Sequence, residues 1–272
     1  MSKQVVFIHR GGPTMASYRY RCEIPARELK KLGYEVSINQ GVGEIVIFSK
    51  PVEDDVRLAR ECKEAGAKVV FDVCDPHFHL RHYQDMFDIA DRYVFPSFGM
   101  DVTIVPAAYR YIIPDPYEMP ELHAHANDDK TLWFGHEVNL KDIDPYRKLC
   151  DRIVTGPTVR EGFTHYTPEN IRRALSEASL GLFPTSPGNE YKTNNRVLNA
   201  IRMGVFPICD PHPAYEEFKD MIWTGGIPTG LRWAKQFRGD LNDLLCDAQE
   251  YVVDNYSPQE IGRKWHQFLT SI

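Results

Sequence analysis

The sequence has no long hydrophobic run. Its first apolar segment, Val5–Ile8, is four residues long, and no later segment approaches the ~20 apolar residues of a membrane-spanning helix. A secretory signal peptide also needs a longer apolar core than this segment provides. We therefore expect a cytoplasmic protein without a membrane span.

Cysteine is sparse as well. The six cysteines include no CxxC pair, so neither a zinc knuckle nor a disulfide scaffold is expected. No sign of charge dominates either: 32 Lys and Arg stand against 38 Asp and Glu, a net charge of −6. This balance excludes a general affinity for polyanions, although it is compatible with a local basic cleft.

Apolar residues are nevertheless abundant, at 43% of 272 residues, which suffices for one large or two ordinary domains. Short apolar runs alternate with amphipathic helical patterns before residue 114 and again after residue 130. This order is typical of parallel sheets with helices on both faces. We expect an α/β protein with two doubly wound, Rossmann-like domains facing a cleft.

The prolines at 114, 116 and 120, and the polar segment Glu121–Lys130, separate the two halves. We place an N-terminal domain at 1–118, a linker at 119–130, a second domain at 131–256 and a final helix at 257–272 that packs back on the first domain. The predicted strands are Gln4–His9, Tyr34–Ile38, Glu44–Ser49, Lys68–Val73, Tyr93–Pro96, Asp101–Val105, Thr131–Phe134, Arg152–Thr155, Leu180–Pro184, Phe206–Asp210 and Met221–Thr224.

The predicted helices follow the same alternation. One runs to Lys31 and either begins or kinks at Pro25, because proline has no N–H to donate. Another begins near Thr193 and ends at Gly204. The remaining predicted helices are Val52–Ala65, Pro145–Asp151, Pro168–Ala178, Asp240–Asp254 and Pro258–Leu269.

The helix near Thr193 begins among polar residues, from Lys192 to Arg196. A helix N-terminus offers free N–H groups and a partial positive charge, and the added cations suit it to a diphosphate. Asn195 and Asn199 are four residues apart and share a helix face. The alternative is a capped helix whose polar end is merely solvated.

The run KTNNRVLNAIRMGVFPI resembles the donor-site helix of GT-B glycosyltransferases. In that family a glutamate usually contacts the sugar or ribose hydroxyls, and Asn199 stands at that position here. The resemblance implies a nucleotide-sugar co-substrate, no further cofactor and no metal. It also implies a donor and diphosphate site that includes Lys192, Asn194, Asn195, Arg196 and Asn199.

Two further segments fit the same family. The stretch GGPTMASYRYR resembles its first loop and helix, which implies an acceptor or phosphate site at Gly11, Gly12, Arg19 and Arg21 in the N-terminal domain. Glycine backbones can approach a ligand closely and adopt angles closed to other residues. The alternative for the arginines is packing over Tyr18 and Tyr20. In the second domain, the resemblance implies that Gly135 and His136 lie near the donor phosphates and that His165 and Tyr166 frame the base.

The segment FDVCDPHFHLRH follows a buried strand and has three interpretations. Asp72, Asp75 or His77 could be the general base that takes the acceptor proton. Alternatively, the segment could hold a divalent metal in a hydrolase or phosphatase, with Asp75, His77 and His79 as ligands. The third interpretation is a plain turn followed by a helix that carries the histidines.

The leading hypothesis is a metal-independent glycosyltransferase whose second domain binds a nucleoside-diphosphate sugar. A hydroxymethylated DNA base is one candidate acceptor, and another soluble acceptor is the alternative. The alternative functions are the metal-dependent hydrolase built on Asp72–His82 and a non-catalytic module that binds a nucleotide or glycan. The residues that could form a local phosphate track for DNA are Arg10, Arg19, Arg21, Arg27, Lys30 and Lys31.

Overall fold

The structure, a computed structural model, describes residues 3–97, 99–100, 105–186 and 191–272. The chain divides into two compact units. Unit 1 contains the chain up to Pro116 together with Tyr256–Ile272, and unit 2 is Tyr117–Asn255. The chain thus passes from unit 1 to unit 2 between Pro116 and Tyr117.

The described strands are numbered β1–β11 along the chain, and all their pairings are parallel. They are Gln4–Ile8, Glu35–Ile38, Ile45–Ser49, Lys68–Asp72, Arg92–Phe95, Arg110–Ile112, Thr131–His136, Arg152–Gly156, Thr164–His165, Leu180–Phe183 and Phe206–Cys209. The central strands are buried along most of their length, as expected for parallel strands covered by helices on both faces.

The described α-helices are numbered α1–α10. They are Ala16–Tyr18, Ile24–Lys31, Glu53–Glu64, Arg81–Ile89, Leu140–Ile143, Pro168–Glu177, Asn195–Arg202, Ile227–Gln236, Leu241–Tyr256 and Pro258–Thr270. None of the helices in the described ranges is long and apolar enough to cross a bilayer.

Each sheet has one point at which the strand order reverses. The order is β2-β1-β3-β4-β5-β6 in unit 1 and β11-β10-β7-β8-β9 in unit 2. The reversal therefore lies between β1 and β3 in unit 1, and between β7 and β10 in unit 2. Open parallel sheets bind their ligands at the carboxyl ends of the strands beside such a switch point.

The helix before Gly33 contains a widened turn ahead of its proline. A π-helical segment, Arg19–Glu23, joins α1 to α2, and Pro25 lies in the first turn of α2. The Ile24 N–H bonds to the Arg19 carbonyl, so the helix is continuous, and the wider π turn accommodates a proline that has no N–H to donate. The segment carries Arg21 and Cys22 into the interior of unit 1, where both are buried.

Helix α10 completes the core of unit 1. Trp265 and Phe268 are buried in one cluster with residues of β1, β3 and α2. Gly262 allows the close approach of α10 to α2, because a Cβ atom there would lie 2.4 Å from Cβ of Glu28.

Two predicted elements differ from the structure. Met221–Thr224 was predicted as a strand and is wrong: of it, only Trp223 forms an isolated bridge, to Ile208. Pro145–Asp151 was predicted as a helix and is a 3₁₀ segment, Asp144–Leu149. The prediction for Asp101–Val105 falls mostly outside the described residues. Strands β6 and β9 and helix α8 were not predicted.

Candidate functional site

The unit 2 switch point, between the ends of β7 and β10, receives the first turn of α7. Arg196 in that turn donates to the carbonyl oxygen of Phe134 at 3.3 Å. Its guanidinium carbon lies 5.9 Å from the centre of the Trp133 ring and 5.7 Å from that of Phe183. The two rings restrict the guanidinium group, so that its charge is fixed at the carboxyl edge of the sheet.

Gly135 lies beside this guanidinium group. A Cβ atom at Gly135 would lie 3.2 Å from Nη1 of Arg196 and 3.0 Å from the Trp133 ring. A side chain at this position would therefore press on both groups. The missing side chain thus lets Arg196 and the Trp133 ring pack against the backbone at the end of β7.

Lys192 is the second cation at this edge. Its Nζ atom lies 2.7 Å from Oδ2 of Asp142, and the Ser186 hydroxyl donates to Oδ1 of the same carboxylate at 2.5 Å. The Asp142 side chain is fully buried, whereas 25% of the Lys192 side chain is exposed. Lys192 is thus oriented by a buried carboxylate and remains accessible to a ligand.

The pKa shifts agree with an excess of positive charge around Lys192. Burial lowers the pKa of Lys192, and repulsion from Arg196 and Lys141 lowers it further, against the opposing effect of Asp142. Burial alone would raise the pKa of Asp142, but hydrogen bonds from Lys192 and Ser186 outweigh it and the pKa falls below its ordinary value. The cations repel one another, and an anionic ligand would relieve that repulsion.

The predicted asparagines are placed differently. Asn194 is buried and donates to Glu217 at 3.1 Å, while Asn195 begins α7. Asn199 is 3% exposed, and its Oδ1 accepts from the backbone N–H groups of Glu118 and Met119 at 3.1 and 3.2 Å. The expectation that Asn199 contacts a ligand is therefore wrong in this structure, because its side-chain oxygen holds the segment that enters unit 2.

The other residues predicted for the donor site lie at the same edge of the sheet. His136 ends β7, is exposed, and accepts from the N–H of Val138 at 3.3 Å. His165 ends β9 and Tyr166 follows it, next to the end of β8. Nδ1 of His165 is buried without a hydrogen-bond partner among the described residues. These positions are compatible with the predicted roles in binding phosphates and base.

The glycine loop of unit 1 is explained by space rather than by backbone angle. Neither Gly11 nor Gly12 has a positive φ, contrary to the expectation of a special conformation. A Cβ atom at Gly11 would lie 2.2 Å from Sδ of Met15 and 2.8 Å from Cε1 of His9, whereas a Cβ at Gly12 would meet nothing. Gly11 therefore permits close packing on His9, and Gly12 leaves the loop open.

Arg21 and Asp72 form a buried ion pair, which corrects two of the site predictions. Arg21 is 1% exposed, and its guanidinium Nη2 donates to Oδ1 of Asp72 at 2.6 Å. The same carboxylate accepts from the Ser49 hydroxyl at 2.6 Å, and Arg21 also meets Asp115 at 3.3 Å. Arg21 is thus unavailable to an acceptor or a phosphate, and Asp72 is unavailable as a surface base.

The remaining predicted residues of unit 1 stay accessible. Arg19 donates to the carbonyl of Pro13 at 2.8 Å. Asp75 is 31% exposed and lies 3.0 Å from Nζ of Lys50, and His77 is 43% exposed. Nε2 of His77 lies 4.0 Å from Asp75. Because Asp72 is buried in its pair with Arg21, Asp75 and His77 are the two predicted bases that remain accessible to a substrate.

The metal-site alternative receives no support in the described part of the chain. It contains no group of three or more His, Cys, Asp or Glu residues that could hold a metal ion. Asp72 is committed to Arg21, and His79 lies apart from His77, with ring centres 6.3 Å away.

Sequence reasoning missed several partners at both switch points. In unit 2 these are Asp142, Ser186 and Tyr215, whose hydroxyl is hydrogen-bonded by Arg196. In unit 1 the missed residues are His9, which follows β1, and Lys50, which follows β3. Lys50 has a positive φ of 52°. Such an angle is uncommon for a lysine and is a signal seen only in coordinates.

No model of a known protein family and no curated protein matches the chain. Solved structures do match. HepE of Anabaena in complex with UDP-glucose aligns over 99% of this chain and 100% of its own, with 10% identity and a TM-score of 0.73. An α-glucosyltransferase in complex with UDP and a 13-mer DNA containing an HMU base aligns over 99% and 100%, with 11% identity and a TM-score of 0.66.

A third similar structure is a DNA-modifying β-glucosyltransferase, which aligns over 98% of this chain and 99% of its own. Its identity is 11% and its TM-score 0.63. These alignments span both units, and at such identities they establish architecture. With two Rossmann-like units, each built on a parallel sheet, the chain has the GT-B fold of glycosyltransferases.

Proposed function

We propose that the chain is a glycosyltransferase that moves a sugar from a nucleoside-diphosphate sugar to a hydroxyl group. The observation that carries this proposal is the pair of cations, Lys192 and Arg196, at the unit 2 switch point of a GT-B fold. Arg196 lies against Gly135, and its charge acts on Lys192. A diphosphate is the part of the donor that such cations recognise.

In the proposed reaction the acceptor oxygen forms a bond to the anomeric carbon while the bond from that carbon to the diphosphate oxygen breaks. Negative charge then collects on the departing diphosphate. Lys192 and Arg196 would stabilise it there, since both are held before the reaction by Asp142 and by the rings around Arg196. This chemistry requires no metal ion and no cofactor beyond the donor.

The acceptor proton needs a base, and we assign this role to Asp75 or His77. Both follow β4 and are partly exposed, and either an imidazole or a carboxylate can take a hydroxyl proton within hydrogen-bond reach. We further assign the base of the nucleotide to the neighbourhood of His165 and Tyr166. The acceptor class is either a hydroxymethylated DNA base, as the DNA-bound α-glucosyltransferase suggests, or another soluble acceptor.

Calorimetry with UDP and UDP-glucose tests the donor site, followed by a thermal-shift screen of other nucleoside diphosphates. We expect Lys192→Ala and Arg196→Ala each to weaken binding by about 1–3 kcal/mol, roughly 5- to 150-fold in Kd. Lys235→Ala is the matched control, because Lys235 is an exposed cation of the same unit in α8.

Unchanged affinity in both site variants would overturn the donor site. Release of free sugar from the donor without an acceptor separates an enzyme from a non-catalytic binding module. Binding without any turnover, with or without acceptors, would favour the module.

A further inference from the structure

Three cations at the carboxyl edge of the unit 1 sheet are each neutralised by a carboxylate. Arg10, after β1, donates to Asp55. Lys50, after β3, lies 3.0 Å from Asp75. Arg21 is enclosed by Asp72 and Asp115.

Of the other basic residues suggested for a phosphate track, two follow this pattern, whereas Arg19 donates to the Pro13 carbonyl and Lys30 is exposed. Arg27 and Lys31 both donate to the buried carboxylate of Glu28, at 3.0 and 2.8 Å. Most cations of the phosphate track that the sequence suggested are therefore paired with carboxylates of the same unit. A polyanion gains affinity by placing its phosphates on accessible cations, and paired cations offer little of this gain.

His9, which follows β1 at the unit 1 switch point, adds no positive charge. Its Nδ1 accepts from the backbone N–H of Gly11 at 2.8 Å, so a neutral ring carries its proton on Nε2, 3.1 Å from the Ser17 hydroxyl. Burial lowers the pKa of His9, and nearby Lys50 lowers it further. The ring is thus neutral near pH 7.

Two buried hydroxyl groups at this edge lack partners. Tyr83 is 1% exposed, and its hydroxyl has no hydrogen-bond partner in the described part of the chain. The Ser97 hydroxyl is also buried and has no hydrogen-bond partner in the described part of the chain. Ser97 follows β5, which pairs with β4. Unpaired buried hydroxyls are costly, so their presence indicates a group that completes them when it binds.

Tyr83 is positioned next to the proposed base. Its ring centre lies 5.5 Å from that of His77 and 5.4 Å from that of Phe71 at the end of β4. The charges of Asp75 and Asp72 act on its hydroxyl and, after burial, raise its pKa. The hydroxyl therefore stays protonated and can donate a hydrogen bond.

We propose that the carboxyl edge of the unit 1 sheet binds a neutral, hydroxyl-rich acceptor such as a sugar or polyol, with the Tyr83 hydroxyl as one of its hydrogen-bond partners. This inference rests on the function proposed above. A neutral polyol supplies both donors and acceptors to Tyr83, Ser97 and Asp75, and it needs no cation. Duplex DNA carries charges that this edge does not balance.

The first experiment offers two acceptor panels to the wild-type chain together with UDP-glucose, or with the donor found in the screen. One panel contains neutral mono- and oligosaccharides and polyols, and the other contains duplex DNA with hydroxymethylated pyrimidines. We expect transfer to at least one neutral acceptor and none to DNA. Transfer to DNA alone, or to no neutral acceptor while the donor is bound and hydrolysed, would overturn the inference.

The second experiment compares Tyr83→Phe with Tyr93→Phe. The Tyr93 hydroxyl donates to the carbonyl of Phe87 at 2.6 Å, so Tyr93→Phe removes a made hydrogen bond from a buried tyrosine of the same unit. We expect Tyr83→Phe to raise the acceptor KM about tenfold, with unchanged melting temperature and donor Kd. Tyr93→Phe should lower the melting temperature and leave the acceptor KM unchanged.

An unaltered acceptor KM in Tyr83→Phe would remove Tyr83 from the acceptor site. The experiments distinguish failure of this inference from failure of the proposed function. Failure of the wild-type chain to bind any nucleotide or nucleotide-sugar overturns the function, whereas normal donor binding with a DNA acceptor overturns only the present inference.

Discussion

Each unit has one switch point at the carboxyl edge of its parallel sheet, and the two switch points differ in their balance of charge. In unit 1 the central arginine, Arg21, is buried and balanced by Asp72 and Asp115. In unit 2 Lys192 shares one carboxylate, Asp142, with two neighbouring cations. The charged groups at the switch point thus serve stability in unit 1, whereas those in unit 2 leave a cationic surface. Topology locates a site, and the balance of charge decides what can bind there.

Removing Arg21 should produce the largest effect. Arg21→Ala leaves the buried carboxylate of Asp72 without its partner, and we expect a loss of about 3–5 kcal/mol in the free energy of unfolding. Chemical denaturation measures it. Arg27→Ala is the control, because that arginine is half-exposed and its pair with Glu28 should contribute at most about 1 kcal/mol. Equal effects in both variants would contradict the contrast between a buried and a surface pair.

Asn199 tests whether a residue at a family donor position has a structural role here. Asn199→Ala leaves the N–H groups of Glu118 and Met119 without their acceptor, and we expect a loss of about 2–3 kcal/mol in stability. The donor Kd, measured by calorimetry below the unfolding transition, should stay within twofold of wild type. A large loss of donor affinity in a stably folded variant would restore the ligand-binding interpretation.

Asp142 should affect stability and donor binding in opposite directions. Asp142→Asn weakens the hydrogen bonds from Lys192 and Ser186, and we expect a loss of about 1–2 kcal/mol at pH 7. Because the competing carboxylate charge is gone, UDP should bind several-fold more tightly. Weaker binding of UDP would show that orienting Lys192 matters more than freeing its charge.

The same variant yields a pH dependence with a definite sign. The pKa of Asp142 lies below its ordinary value of 3.8 in the folded chain. Its stabilising contribution is therefore complete above that value and is lost as the pH falls through the lower, folded-state pKa. The stability difference between wild type and Asp142→Asn, measured by chemical denaturation, should shrink as the pH falls below about 4.

The smallest expected effect is a difference in salt dependence between donor binding at the unit 2 edge and acceptor binding at the unit 1 edge. We expect the donor KM to rise a few-fold between roughly 0.05 and 0.5 M salt, because the partly exposed charge of Lys192 is screened. The KM of a neutral acceptor should stay constant over the same range. A steep salt dependence of the acceptor KM would indicate accessible cations in unit 1.

Much of the architecture could be predicted, because buried parallel strands are short apolar runs with glycine or polar residues after them. The cations Lys192 and Arg196 were also found from the sequence, since a helix start after such a run lies at the carboxyl edge. The apolar run Met221–Thr224 predicts a strand that is not formed. Its apolar residues pack a loop, where Trp223 lies 5.2 Å from Trp233 and donates to the Gly226 carbonyl.

The buried partners could not be predicted. Arg21 and Asp72 are 51 residues apart in the chain, and no local pattern pairs them. Asn199 meets backbone groups that are 80 and 81 residues away. A polar residue in a sequence motif indicates either a ligand or a tertiary partner, and only the fold distinguishes the two.

Unit 1 is assembled from two separate segments of the chain, and this affects the order in which the protein can fold during synthesis. Trp265 and Phe268 fill the same cluster as Phe7, and Nζ of Lys3 donates to the Leu269 carbonyl at 2.9 Å. During synthesis, residues 117–255 emerge before those aromatic rings do. All residues of unit 2 are therefore synthesised before α10, whereas the core of unit 1 cannot be completed until α10 has been made.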